Sequence, residues 1–339
     1  MKLENEFLLV EIAAQGAEVT RIFNKKDETD VLWEGNPVFW CRHSPLLFPY
    51  VGKTYQNKLW IDGKQYDTEK HGFARTSLFD CVAESENSVT YMLKDSEETK
   101  KMFPYAFELY VTYTLEENRL NVKWEVKNPA DKTMYFCIGG HPAIRFAKPE
   151  EKKTDYVLKF PGKKTLEYIG VIESEAAADP DTIYKMELEN ECYPLTEELL
   201  ANDALIFDHE QFDEVWVCHK DGRPYVGMKY QGIPSMGIWS MPNAPFVCLE
   251  PWMGRCDNVG FNKDISEKPF INHVDAGETF VNGYELIVAC AFFLLVFPAG
   301  RFPAAAHKRY YSVPAGKLLA DLGEIHGKRT KKTIIFCYF

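Results

Sequence analysis

The 339-residue chain lacks most of the motifs that carry recognisable chemistry. No G-x-G-x-x-G follows a strand, and there is no Walker loop, H-E-x-x-H or G-x-S-x-G. Readings as a dinucleotide enzyme, a nucleotidase, a zinc protease or an elbow-type hydrolase therefore have no support. The eight histidines show no metal-ligand spacing on any expected helix. The nine cysteines are odd in number and scattered, with no C-x-x-C, which argues against a disulfide framework and a structural zinc site and for buried free thiols. Basic residues are outnumbered, 39 Lys and Arg against 50 Asp and Glu, so a general nucleic-acid binder is not expected. The apolar run from Leu286 to Phe297 falls short of the roughly 20 residues a membrane span needs. The N-terminal apolar run, Phe7 to Val10, is too short for a signal sequence and is flanked by acids. The expectation is a cytoplasmic protein with no membrane and no nucleic-acid partner.

Helical periodicity is equally scarce. Only Asp95–Met102 and Leu195–Leu200 read as short helices. The chain is instead rich in aromatic residues (14%) and in short runs that alternate apolar with polar side chains, the period of two of half-buried strands. Phe107, Leu109, Val111, Tyr113 and Leu115 alternate with Glu108, Thr112 and Thr114; Leu120, Val122, Trp124 and Val126 alternate with Asn121, Lys123 and Glu125. Asp62-Gly63 between Lys58–Ile61 and Lys64–Tyr66 is a strong hairpin signal. Further strands are expected at 7–12, 17–23, 89–93, 156–160, 204–207, 214–218, 225–230, 236–239, 246–249 and 279–288. Many short strands with turn signals between them imply an all-β fold, a large antiparallel β-sandwich with few short helices.

The charge is unevenly placed. Residues 289–339 carry a net +6, whereas the first 288 carry −17. We read 1–288 as one domain and 289–339 as a basic C-terminal tail outside it. A frameshift or read-through past the usual stop would generate such a segment.

Four segments combine polar groups with Gly and Pro in apolar surroundings: 41–49 (CRHSPLLFP), 70–75 (KHGFAR), 138–143 (IGGHPA) and 244–254 (APFVCLEPWMG). In the last, one carboxylate, Glu250, ends an apolar strand ahead of a proline; partial desolvation there would raise its pKa toward that of a base working near neutral pH. An imidazole and a carboxylate on one substrate can remove one proton and deliver another, while Arg and a second His hold hydroxyls. Each residue also has a purely structural explanation: Arg42 as an ion-pair partner, His71 and His141 as satisfied core histidines, Glu250 paired with Arg255, Trp252 as core.

Taken in order, the segments resemble the aldose 1-epimerase (galactose mutarotase-like) family, and within it the LacX-like branch. The resemblance runs from about Leu3 to Val288, through Arg42 to Pro49 with Gly52, HGFAR at 71–75, GGHPAIRF at 139–146, Asn202 to Leu205, Ile238-Trp239, Leu249 to Gly254 and Gly277 to Phe280. It implies the family's supersandwich with a site on one concave face. It also implies Glu250 as general base, His141 as general acid, and Arg42, His71, Asp203 and Trp252 as sugar-binding residues. No metal or organic cofactor is implied, and the partner is a small-molecule sugar. The implied reaction interconverts α and β anomers of a hexose by ring opening. Alternatives on the same fold are a hexose-6-phosphate mutarotase, with Arg42, Arg75 and Lys53 as the basic cluster, and a non-catalytic carbohydrate-binding protein. For catalysis Glu250 and His141 are expected to face each other across a cleft, their functional atoms roughly 5–8 Å apart.

Overall fold

In a computed structural model, residues 1–289 are described. Strands dominate, and all the strands of the two large sheets pair antiparallel. A nine-stranded sheet runs in the order 192–194, 156–159, 214–219, 224–230, 279–288, 119–127, 108–116, 88–94, 80–84. The second large sheet runs 177–187, 165–172, 205–208, 235–239, 246–253, 138–140, 46–47, and the short strand Ala143–Arg145 also pairs with Phe246–Met253. A four-stranded sheet formed by residues 2–30 completes the N-terminal part.

The core follows from the alternation. Leu109, Val111, Tyr113 and Leu115 on one strand, and Leu120, Val122, Trp124 and Val126 on the next, are all buried in the main core. They meet Val247 and Leu249 from the second sheet there. This all-β antiparallel sandwich agrees with the period-two reading of the chain. Asp62 and Gly63 both have positive φ (51° and 73°), the primed two-residue turn that the dipeptide favours.

The helices are fewer than expected. Asp95–Met102 reduces to one turn, Glu97–Lys100, capped by Ser96, whose side chain accepts from Thr99 N. Leu195–Leu200 forms turns rather than a helix. A stretch this short cannot offset the cost of helix nucleation, and Glu197 is drawn out to the buried Lys153 at 3.0 Å instead. The hairpin Thr165–Ile172 with Ala177–Glu187 was not expected, because the second strand carries Pro180 and lies at a sheet edge, largely exposed. There its apolar alternation is lost, and proline is tolerated.

Strand Phe246–Met253 carries Glu250. It is buried on both faces. Val247 and Leu249 enter the main core, while Cys248, Glu250 and Trp252 point to the opposite face of the sheet. A slip of one residue would bury the carboxylate in the core. The last described strand, Thr279–Val288, sits between Pro224–Tyr230 and Arg119–Lys127. Beyond it, Ala289 N donates to Tyr225 O at 2.8 Å. The expectations made for the rest of the tail lie outside the described residues.

Candidate active site

The register of the second sheet brings Glu250 and His141 together. Gly139 pairs with Trp252 and Ala143 with Cys248, so His141 falls opposite Glu250, a cross-strand neighbour on the same face. His141 Nε2 and Glu250 Oε2 are 3.2 Å apart, and the two residues are 5% and 2% exposed. The expected gap of a sugar ring between them is therefore corrected. They stand side by side on one wall, because adjacent strands set their separation rather than opposite walls of a cleft.

Around this pair lies a cavity of about 280 Å³. His71, Asp203 and Trp252 line it with the pair, as do Trp40, Trp239, Lys53, Lys70 and Arg75. His71 is placed by a reciprocal contact: its N–H donates to Gly52 O at 2.7 Å, and its Nδ1 accepts from Gly52 N at 3.1 Å. The ring must then carry its proton on Nε2, leaving a donor for a ligand. Gly52 has φ +67°, and a Cβ there would sit 2.5 Å from Cys256 Cβ, so no other residue fits the contact. The indole of Trp252 lies flat over Gly139 and Gly237; a Cβ at either glycine would come within 2.8 Å and 2.3 Å of ring carbons. Two absent side chains thus let Trp252 form a flat floor.

Arg42 is not on the cavity wall. Its guanidinium donates to the Arg75 carbonyl at 3.0 Å and lies 3.6 Å from Glu18. Buried Glu18 also accepts from the His43 and Ser44 backbone N–H groups at 2.7 and 3.0 Å, which fixes the segment and turns Arg42 away. The arginine lining the cavity is Arg75. The expected pairing of Glu250 with Arg255 does not occur either, since Arg255 binds Asp208 at 2.9 Å. Trp40 was not singled out from sequence, whereas Lys70 opens the segment 70–75. Trp40 sits one residue before the segment 41–49, so adjacency was the available signal.

Burial governs the electrostatics. It pushes Glu250 well above the usual carboxylate range, with Asp203 adding to the rise and Lys70 opposing it. Burial, with Lys70 and Arg75 nearby, pushes His141 down to about 3. Burial, then His141, holds His71 well below the usual imidazole range. The opposite shifts favour the neutral carboxyl beside the neutral imidazole, and a pair in such close contact titrates as a unit. The His141 ring is boxed by Trp40 at 4.7 Å and Trp239 at 5.6 Å between centroids.

Three of the six buried side-chain polar atoms without a hydrogen bond among the described residues belong to this cavity: Arg75 Nε, His141 Nδ1 and Trp252 Nε1. Trp252 Nε1 approaches Glu250 without reaching hydrogen-bond geometry. Unspent buried polar atoms mark where a polar ligand is accommodated. His141, Cys248 and Glu250 bring donor atoms within 4.8 Å of one another, an arrangement with metal-ligand types. Burial raises the Cys248 thiol well above its ordinary value, however, so near neutral pH the set offers a thiol rather than a thiolate.

Comparison with known proteins identifies the family and the fold. A family profile described as Aldose 1-epimerase matches residues 1–259. The LacX proteins of Lactococcus lactis subsp. lactis, chromosomal and plasmid forms, are each 27% identical over 298 residues, 85% of this chain and 99% of theirs. The structure of a galactose mutarotase related enzyme from Lactobacillus acidophilus is 31% identical with a TM-score of 0.81, covering 86% of this chain and 97% of its own. A galactose mutarotase-like protein from Lactobacillus casei is 29% identical with a TM-score of 0.79, covering 85% and 99%. With more than half its length matched by the family, the chain belongs to the aldose 1-epimerase family, isomerases of mutarotase type.

Proposed function

We propose that the protein interconverts the α and β anomers of a free hexose by general acid–base catalysis at Glu250 and His141. The observation that carries this reading is their 3.2 Å contact, buried at the wall of a cavity floored by a flat indole. Glu250 as carboxylate takes the proton from the C1 hydroxyl, and His141 as imidazolium protonates the ring oxygen. The C1–O5 bond breaks to an open-chain aldehyde, rotation about C1–C2 presents the other carbonyl face, and closure reverses the transfers. The competent tautomer forms from the resting one by a single proton hop across the contact. His71 Nε2–H and Asp203 supply a donor and an acceptor for ring hydroxyls, and Trp252 an apolar face.

An NMR anomer-exchange assay on α-galactose and α-glucose tests the reading. The expected result is exchange far above the spontaneous rate, reduced by about 10²-fold or more in kcat for Glu250→Gln and for His141→Asn. Unchanged kcat in Glu250→Gln would remove that residue from the base role.

A second reading has one observation in its favour. Lys53, Lys70 and Arg75 line the cavity, and among the described residues Lys53 and Lys70 form no ion pair within 4.0 Å. Free cations beside the sugar site suit a phosphorylated hexose, and glucose 6-phosphate belongs in the same assay.

A further inference from the structure

Lys153 is buried, 1% exposed, yet it is not on the wall of the cavity around Glu250. An ammonium is costly to bury unless its three donors are met. Here they are met by one side chain and one turn. Lys153 Nζ donates to both Glu197 carboxylate oxygens at 3.0 Å, to Met241 O at 2.9 Å and to Ala244 O at 3.3 Å. Glu197 holds the same turn directly, accepting from Asn243 N at 3.1 Å. One ion pair thus grips Met241, Asn243 and Ala244.

The gripped turn is set locally by its sequence, Met241-Pro242-Asn243-Ala244. Ala244 N donates to Met241 O at 3.1 Å, proline occupies the second position, and Asn243 in the third has φ 58°. Proline followed by a residue of positive φ is the pattern of a type II turn. Ser240 Oγ donates to Phe246 O at 2.7 Å and closes the base of the loop. The loop joins strand Ser235–Trp239 to strand Phe246–Met253, which carries Glu250.

What the loop carries faces the reactive pair. Met241 lines the cavity, and so does Trp239 just ahead of the turn. Both pack with Trp40 and Phe246 in one apolar cluster. The Phe246 ring lies 6.0 Å from Trp40 and 6.2 Å from Trp239 between centroids. Those two indoles are the ones that box His141. A displaced turn would therefore move the side chains that enclose the imidazole. Stability alone does not call for a lysine at 153, since well-packed apolar groups often replace a buried ion pair at no loss. An ion pair does what an apolar contact cannot: it fixes the turn in one place, through two carbonyls and one N–H.

We propose that Lys153 and Glu197 are positioning residues for anomer exchange, acting through the 240–245 loop to hold Met241, Trp239 and Trp40 around His141. This rests on the mutarotase reading above.

The test is anomer exchange on α-galactose and α-glucose by NMR, with the full chain, at a temperature where every variant is folded. The variants are Lys153→Met, Glu197→Ala, Glu197→Gln and, as a control for lost stability alone, Leu249→Ala in the main core. The Glu197 side chain is 41% exposed, so its variants keep the fold even if Lys153→Met does not. Lys153→Met and Glu197→Ala are expected to lower kcat by about tenfold, the effect of a small misplacement at the reacting groups. Glu197→Gln keeps an acceptor for the ammonium and for Asn243 N, and is expected to recover most of that loss. Leu249→Ala is expected to melt earlier with kcat retained. Wild-type kcat in Glu197→Ala, or an equal kcat loss in Leu249→Ala, would reduce the ion pair to a structural role and leave the mutarotase reading standing. If wild type exchanges the anomers of neither sugar, the mutarotase reading fails and the positioning role with it.

Discussion

Burial raises Glu250 and lowers His141 in the folded protein, and these opposed shifts dictate how stability depends on pH. In the unfolded chain the two groups titrate near 4.5 and 6.5. Between those values the unfolded pair also carries one proton, now on the imidazole, so the pair contributes no slope. Above pH 6.5 the unfolded pair carries none, while the raised Glu250 carboxyl retains a proton in the fold until the pH passes its folded pKa. The native state then binds more protons, and stability falls as pH rises, by up to about 1.4 kcal/mol per pH unit. Below pH 4.5 the unfolded pair gains a second proton, and stability falls again as the pH drops toward 3. Glu250→Gln abolishes the alkaline limb. Urea midpoints at pH 7 and pH 8.5 are expected to fall for wild type relative to the variant, and parallel lines would mean that the carboxyl is ionised in the fold. His71 contributes its own loss as pH falls below 6.5, since burial depresses it, and it does so equally in both proteins. At the same scale, Arg75→Ala is expected to raise sugar KM with kcat retained, whereas Arg42→Ala reaches the sugar only through the Arg75 carbonyl it holds. A larger KM effect from Arg42→Ala would reverse that order.

One strand separates core from chemistry. Phe246–Met253 sends Val247 and Leu249 into the main core and Glu250 and Trp252 into the cavity. Substitutions on its two faces should therefore have separable effects. Leu249→Ala is expected to cost about 2–5 kcal/mol of stability, by loss of burial and a residual cavity, while leaving KM intact. On the neighbouring strand, Gly237→Ala drives a methyl into the Trp252 indole, 2.3 Å from its nearest carbon. Such overpacking costs about 1–3 kcal/mol and tilts the floor of the site, so KM is expected to rise as well. Thermal melts combined with anomer-exchange kinetics distinguish the two; an unchanged KM in Gly237→Ala would show that the indole does not carry the sugar.

Across the whole molecule, charge separates the two substrate readings. The chain is strongly acidic over its first 288 residues, yet Lys53, Lys70 and Arg75 gather at the cavity. A neutral sugar does not sense that field, so its kcat/KM is expected to stay flat from 0.05 to 0.5 M salt. A phosphorylated sugar would lose kcat/KM over the same range, as screening shortens below about 10 Å. The closing strand is tied twice to Asn118: Val288 N donates to Asn118 O at 2.9 Å, and Asn118 Nδ2 donates to Val288 O at 2.7 Å. Every strand described here is complete by residue 288. Removing residues 290–339 is therefore expected to leave anomer exchange intact, and loss of activity or folding would make the +6 segment part of the domain.

How much could be read in advance differs by feature. Alternation at 108–127 and the Asp62-Gly63 turn are local, set by side-chain polarity and backbone sterics, so strands and fold class were legible in the residues. The clustering of Glu250 with His141, His71, Asp203 and Trp252 was legible as family resemblance, not as distance. Their contact at 3.2 Å depends on strand register, which arises from pairing between segments remote in the chain. Arg42 and Arg75 look equivalent in sequence; only the position of Glu18, brought in by another sheet, turns one away from the cavity and leaves the other on its wall. The edge hairpin at 165–187 escaped notice because an exposed edge has no apolar period to display. Local chemistry thus determined which strands this chain forms, and register between distant strands decided which of its polar groups share a cavity, because only pairing across the sheet brings them within bonding distance.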